Sequence, residues 1–162
     1  MTAALTHVPS PACIALIAQF ESCARKLKNG SYHAYPDPNT KAAPWTIGYG
    51  HTGHDVQPNT IWPKAQCETA LAADIARFAA YIRPYLTAPT TQHQFDALVS
   101  FAFNAGPGTE HHSHILKLHN LGQHEQCACA WLTQNIDAGG PAEGGLRRRR
   151  AAEAALYSRK DT

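Results

Sequence analysis

The sequence lacks a long apolar run. Its longest candidate is Cys13-Ile-Ala-Leu-Ile-Ala-Gln-Phe20, far short of the roughly 20 residues that span a bilayer. No basic stretch precedes it, so it does not read as a secretion signal either. The expectation is a chain that begins in the cytoplasm with no stable membrane association. Charge of one sign is also scarce. Charged residues make up 16% and the formal net charge is +2, which argues against a dedicated nucleic-acid binder. The five cysteines, Cys13, Cys23, Cys67, Cys127 and Cys129, are odd in number and match no zinc spacing. They read as free thiols in a reducing compartment. There is no internal repeat, low-complexity linker or second module.

What is present is alanine and hydrophobic residues, the latter 44% of 162 residues. That length suits one domain with a real core, helical in large part. Ser10 and Pro11 open a helix from about Ser10 to Ser22, with Cys13, Leu16, Ile17 and Phe20 on one face. From Lys28 to Pro58, turn residues such as Asn29-Gly30, Pro36, Pro38 and Gly48 punctuate short β-like runs, which predicts a small irregular sheet. After Pro63, the stripe Cys67, Leu71, Ile75, Phe78 and Ile82 predicts a helix that ends at Pro84. Thr91-Gln-His-Gln94 is a capping box, followed by a helix carrying Phe95, Leu98, Val99, Ala102 and Phe103. Three short helices are expected over Ser113–Leu121, Gln123–Gln134 and Leu146–Ser158, with Gly139-Gly-Pro and Gly144-Gly145 between the last two. The reading is α+β: a single domain, 1–162, with an N-terminal helix and β lobe over about 10–58 and a helical lobe over about 59–160. A cleft between lobes is where a site is expected.

Glu21 stands at the end of the first helix, where an apolar wall can desolvate a carboxyl. Tyr35-Pro-Asp37 and Pro44-Trp-Thr46-Ile-Gly-Tyr-Gly-His51-Thr-Gly53 follow. Two carboxylates and a hydroxyl are the parts of a glycosidase: one acid protonates the leaving oxygen, and a second carboxylate activates water or attacks the anomeric carbon. Taken alone, this spacing is a weak signal.

These segments, with Gln94-Phe-Asp-Ala-Leu-Val-Ser-Phe-Ala-Phe-Asn-Ala-Gly106 and Gly145-Leu-Arg-Arg-Arg149-Arg150-Ala-Ala-Glu153, resemble in order those of the phage-type lysozymes. That family, glycoside hydrolase family 24, comprises endolysins that cut peptidoglycan. The resemblance runs from about Ala12 to Tyr157. It implies a lysozyme-like fold and hydrolysis of the β-1,4 bond between N-acetylmuramic acid and N-acetylglucosamine. It implies Glu21 as general acid, Asp37 as the water-activating carboxylate and Thr46 as a residue that holds the water. No cofactor and no metal are required. The partner is the peptidoglycan glycan strand. A monomer is expected, released from the host cytoplasm to the wall through a holin pore. The sixteen-residue gap from Glu21 to Asp37 is longer than the family's usual spacing, which makes Asp55 the fallback carboxylate.

Other residues divide between supporting and structural roles. His51 is expected to pair with a carboxylate such as Asp74. Phe103 and Asn104 end the central helix as candidate sugar contacts. Arg149 is the member of the arginine run expected to face the site. His111-His-Ser-His114, with His119 and His124, lacks a companion ligand at metal spacing and is expected on a surface loop. Trp45, Trp62 and Trp131 read as core or lobe-contact residues. Two other enzyme or binding readings remain: a lytic transglycosylase that uses Glu21 alone, and a non-catalytic peptidoglycan-binding module. A histidine-based metal carrier is a third.

Overall fold

The computed structural model describes residues 6–21, 23–36, 41–106, 108–109, 112–134 and 141–160. The chain divides into two compact units, Ala18–Asp74 and Met1–Ile17 with Ile75–Thr162.

The unit Ala18–Asp74 holds the strands. It takes in the end of α1 (Pro11–Glu21), then β1 (Tyr32–His33), β2 (Tyr35–Pro36), β3 (Trp45–Ile47), β4 (His51–Thr52), β5 (Ile61–Trp62) and the first part of α2 (Lys64–Ile82). The strands form two small antiparallel sheets, β1–β5 and β2–β3–β4. Tyr32 lies opposite Trp62, Tyr35 opposite Thr46, and Ile47 opposite His51. Tyr32, Ala34, Ile47, Val56, Trp62 and Cys67 are buried together, with Cys23, Trp45 and Tyr49 packed against them. The unit therefore gathers its core from all its strands and from α2, which is why it extends past Pro58 to Asp74. The expected irregular sheet is present as two pieces.

The second unit is helical. After α2 come a 3-10 turn at Arg83–Tyr85, then α3 (Gln92–Ala105), α4 (His114–Asn120), α5 (His124–Trp131) and α6 (Pro141–Tyr157). The Thr91 capping box forms as its pattern predicts: the Thr91 hydroxyl accepts from the Gln94 N–H at 3.2 Å, and the Thr91 N–H donates to Gln94 Oε1 at 3.0 Å. Residues 94–102 of α3 are all buried, so this helix is enclosed on every side. Its buried Asp96 carboxylate accepts from the Ser10 N–H at 3.1 Å and from the Ser10 hydroxyl, which itself caps α1 by accepting from the Ala12 N–H at 3.1 Å. Trp131, Phe101 and Tyr157 complete the core, the first two rings edge to face at 5.4 Å. Among the described residues, all five cysteines are free thiols.

Two expectations are corrected here. The last helix starts at Pro141 rather than Leu146. Proline suits the first helical turn, and the Glu143–Arg147 pair, with Nη2 to Oε1 at 2.6 Å, spans the two glycines that the sequence reading took as a break. His119 is not on a surface loop. It sits on the inward face of α4, fully buried, in contact with the Thr90 hydroxyl at 2.9 Å and the Tyr157 hydroxyl at 2.8 Å. Burial, reinforced by nearby His124, pushes its pKa down from 6.5 to about 4.

The sign of that shift fixes a pH dependence. The unfolded chain takes up the His119 proton at a higher pH than the native one does, so stability is fully present above pH 6.5 and falls as pH drops toward 4. The size is about 3 kcal/mol. Thermal unfolding followed from pH 7 to pH 4 should show the midpoint falling across that window, with a shallower fall for His119→Gln. An identical pH profile in the variant contradicts the assignment.

Candidate active site

Glu21 is the last residue of α1, half-buried. Its Oε2 lies 3.7 Å from where a β-carbon on Gly50 would sit. Gly50 has φ +87° and Gly48 φ +62°, backbone that other residues rarely adopt. The turn between β3 and β4 therefore needs both glycines, and it brings bare backbone up to the carboxylate. At Gly48 the approach is closer still: an added β-carbon would stand 2.8 Å from both Cβ and Sγ of Cys67.

Thr46 lies opposite Tyr35 on one side and opposite Thr52 on the other. Directly opposed residues share a sheet face. Tyr35, Thr46 and Thr52 therefore share one face, while Ile47 turns into the core. Tyr35 is also close enough to feel Glu21: its phenol is pushed up by burial first, then by Cys23 and by the Glu21 charge. Sequence reasoning had used Tyr35 only as a motif letter. Its cross-strand pairing with Thr46 is what makes it a neighbour of the acid.

His51 makes the contact expected of it. Its Nδ1 is 2.8 Å from Asp74 Oδ2, its Nε2 is 3.4 Å from Asp55 Oδ1, and its ring stacks on Trp62 at 5.4 Å. Asp55, the fallback carboxylate, is thus engaged with His51. Asp37 lies outside the described residues, immediately after β2.

The remaining candidates belong to the helical unit. Phe103 packs on Phe78 with ring centroids 5.0 Å apart. Asn104 is exposed, and its Oδ1 accepts from Arg150 Nη2 at 2.7 Å. Arg149 is buried, with Nε donating to Glu153 Oε1 at 3.2 Å and Nη2 donating to the Ser100 carbonyl at 3.2 Å. Sequence reasoning missed Glu153 as the shared anchor of Arg149 and Arg150. The signal was its spacing, four and three residues after them on one helix. Among the described residues, no group of three His, Cys, Asp or Glu side chains could hold a metal. His111 lies outside them.

The phage lysozyme family model matches residues 19–153. Among curated relatives, the chain is 38% identical over 149 residues to an endolysin of Bacillus phage PZA, which covers 92% of this chain and 54% of that protein. It is 33% identical over 120 residues to an endolysin of Acyrthosiphon pisum secondary endosymbiont phage 1, covering 72% of this chain and 82% of that protein. The chain spans about half the length of the Bacillus phage relatives it matches. Among solved structures, it is similar to the muramidase domain of SpmX from Asticaccaulis excentricus, with TM-score 0.81, 29% identity, and 95% and 99% of the two chains covered. It is also similar to an endolysin from Escherichia coli O157:H7 phage FAHEc1, with TM-score 0.77, 30% identity, and 96% of each chain covered. The fold is lysozyme-like and α+β.

Gly48→Ala tests the turn. The substitution adds strain at positive φ to a clash with Cys67, at a cost of about 3 kcal/mol. Denaturant unfolding should show that loss, together with weakened activity. A wild-type midpoint would mean that the turn is not held against α2.

Proposed function

This chain belongs to the phage lysozyme family, and from that premise we propose that it is an endolysin of glycoside hydrolase family 24. It hydrolyses the β-1,4 bond between N-acetylmuramic acid and N-acetylglucosamine in bacterial peptidoglycan. In this reading Glu21 gives its proton to the glycosidic oxygen as the bond to the anomeric carbon breaks. Asp37 takes a proton from a water on the far face of the sugar, and that water attacks the anomeric carbon. Thr46 holds the water through its hydroxyl. The two carboxyl groups exchange roles as proton carriers, so no cofactor is required. With water between sugar and carboxylate, the product has inverted configuration.

The observation that carries the reading is the setting of Glu21. A helix ends on the carboxyl, and the backbone of Gly50, in the turn after Thr46, lies against it. Thr46 shares its sheet face with Tyr35, the neighbour whose phenol feels Glu21, which supports a role for Thr46 beside the acid. His51, tied to Asp74 and Asp55, supports the same hairpin from its other residue parity. Asp37 follows Tyr35 by two residues in the sequence. A hydroxyl for holding water favours hydrolysis over a transglycosylase, which needs none. The chain acts as one catalytic domain and as a monomer on the wall polymer. No helix among the described residues is long and apolar enough to cross a membrane. Release to the wall through a holin pore is part of this reading.

The test is clearing of outer-membrane-stripped Gram-negative cells. Wild type should clear the suspension. Glu21→Gln should lose at least about a thousandfold in rate while keeping its thermal midpoint. Asp37→Asn should be severely impaired. Full activity in Glu21→Gln refutes the acid, and a mild Asp37→Asn effect gives the second role to another carboxylate.

A further inference from the structure

Two of the five thiols meet inside the unit Ala18–Asp74. Cys23 lies on the irregular segment just after Glu21 and is half-buried, whereas Cys67 lies in the first part of α2 and is 1% exposed. The Cys23 thiol is hydrogen-bonded to the Cys67 thiol and to the Tyr32 hydroxyl. Cys67 belongs to the buried apolar cluster of this unit, and Cys23 packs against that cluster. The other three thiols are placed differently. Cys13 donates to the Asp96 carbonyl at 3.5 Å, Cys127 donates to the Ile115 carbonyl at 3.4 Å, and Cys129 is exposed on α5.

The two sulfurs differ in what can reach them. The Gly48 backbone lies so close to Cys67 that an added β-carbon would stand 2.8 Å from its Sγ. A dissolved oxidant therefore meets Cys23 first. Cys23 is also the thiol whose anion the site supports, because a Cys23 thiolate accepts from the Tyr32 O–H and the Cys67 S–H. Burial outweighs that support and pushes both thiols up, Cys67 to about 11. A dithiol is strongly oxidising when its protein stabilises the reduced, thiolate form. This pair has no such net stabilisation, so its disulfide is of the persistent kind.

We propose that Cys23 and Cys67 are a redox modification site that closes to a disulfide by exchange with a low-molecular-weight disulfide such as oxidised glutathione. The Cys23 thiolate attacks one sulfur of the oxidant, whose S–S bond breaks, and one glutathione leaves as a thiolate and takes up a proton. Cys67 then gives up its proton and attacks Cys23 Sγ in the mixed disulfide, and the second glutathione leaves in the same way. The protein loses two electrons and two protons, and the oxidant gains both. Closure brings the sulfurs to about 2 Å. Cys23 supplies the movement, since its backbone is irregular while Cys67 is fixed on a helix. The bond ties the segment after Glu21 to α2 at the Gly48 contact and closes a loop that contains β1 to β5. A cross-link over so long a loop removes freedom from the unfolded chain. The chemistry does not depend on the peptidoglycan reading.

The test uses the full chain carrying Cys129→Ser, which removes the exposed thiol. The folded protein is equilibrated in glutathione buffers that run from fully reduced to mostly oxidised, quenched in acid, unfolded, alkylated and weighed by mass spectrometry. Oxidation should remove two hydrogens and two alkylatable thiols. Digestion should then yield one linked peptide pair joining Cys23 to Cys67. A chain that stays reduced at the oxidising end, or that stops at one bound glutathione, overturns the proposal. A linked pair between any other cysteines overturns it as well.

A second readout checks what the bond does. The thermal midpoint of the oxidised chain should exceed that of the reduced chain by at least about 4 °C, and Cys23→Ser in the same background should show no rise on oxidation. An equal or lower midpoint in the oxidised chain overturns the fastening. If Cys23→Ser does not fold, the mass and peptide analysis of the parent chain decides. Neither readout needs a wall substrate, so a failure of cell clearing and a failure of this proposal are told apart.

Discussion

The unit that carries Glu21 depends on one close approach. Gly48 brings its backbone so near to Cys67 that a β-carbon would stand 2.8 Å from the cysteine's Cβ and Sγ. That contact seats the β3–β4 turn against the first part of α2. With the turn fixed, Ile47 faces the core, Thr46 faces the other way beside Tyr35, and Gly50 lies alongside the Glu21 carboxylate. His51 then fastens the far side of the turn to Asp74 on the same helix. Strands of two and three residues have little cohesion of their own. Side-chain anchors outside the ladder hold this hairpin.

The helical unit solves a different problem. Its central helix α3 is enclosed, and several buried polar groups have to be satisfied there. Asp96 is matched by the Ser10 cap. Ser100 and Glu153 meet Arg149. His119 is kept neutral between Thr90 and Tyr157. A buried polar group without a partner costs more than a good hydrogen bond returns, so these matches help specify which helix faces meet. The Arg150–Asn104 link differs in kind, because it carries the network outward to an exposed amide.

Much of this was legible in the sequence. The Thr91 capping box, the stripe from Cys67 to Ile82 and the His51–Asp74 pair each follow from a local rule, and each is present. The order of the motifs from Glu21 to Glu153 pointed to the lysozyme-like fold. The misreadings have physical causes. Gly144-Gly145 looked like a break because helix propensity is local, whereas α6 is sustained by the Glu143–Arg147 pair and by packing on α3. His119 looked like part of a histidine-rich loop because its sequence neighbours His111 to His114 dominate the composition; a turn of helix puts it on the buried face. Tyr35 and Arg150 were legible only as motif letters, since their partners Thr46 and Asn104 are reached through strand register and helix packing. Asp37, in the stretch where the Glu21 spacing departs from the family's, lies outside the described residues.

The account's central claim is that Glu21 and a water-activating partner hydrolyse a wall glycan. Mass analysis of the fragments that wild-type protein releases from purified peptidoglycan tests it most directly. The account predicts muropeptides ending in reducing N-acetylmuramic acid, each carrying the added water. Fragments ending in anhydro-muramic acid, or no release of fragments at all, would contradict it.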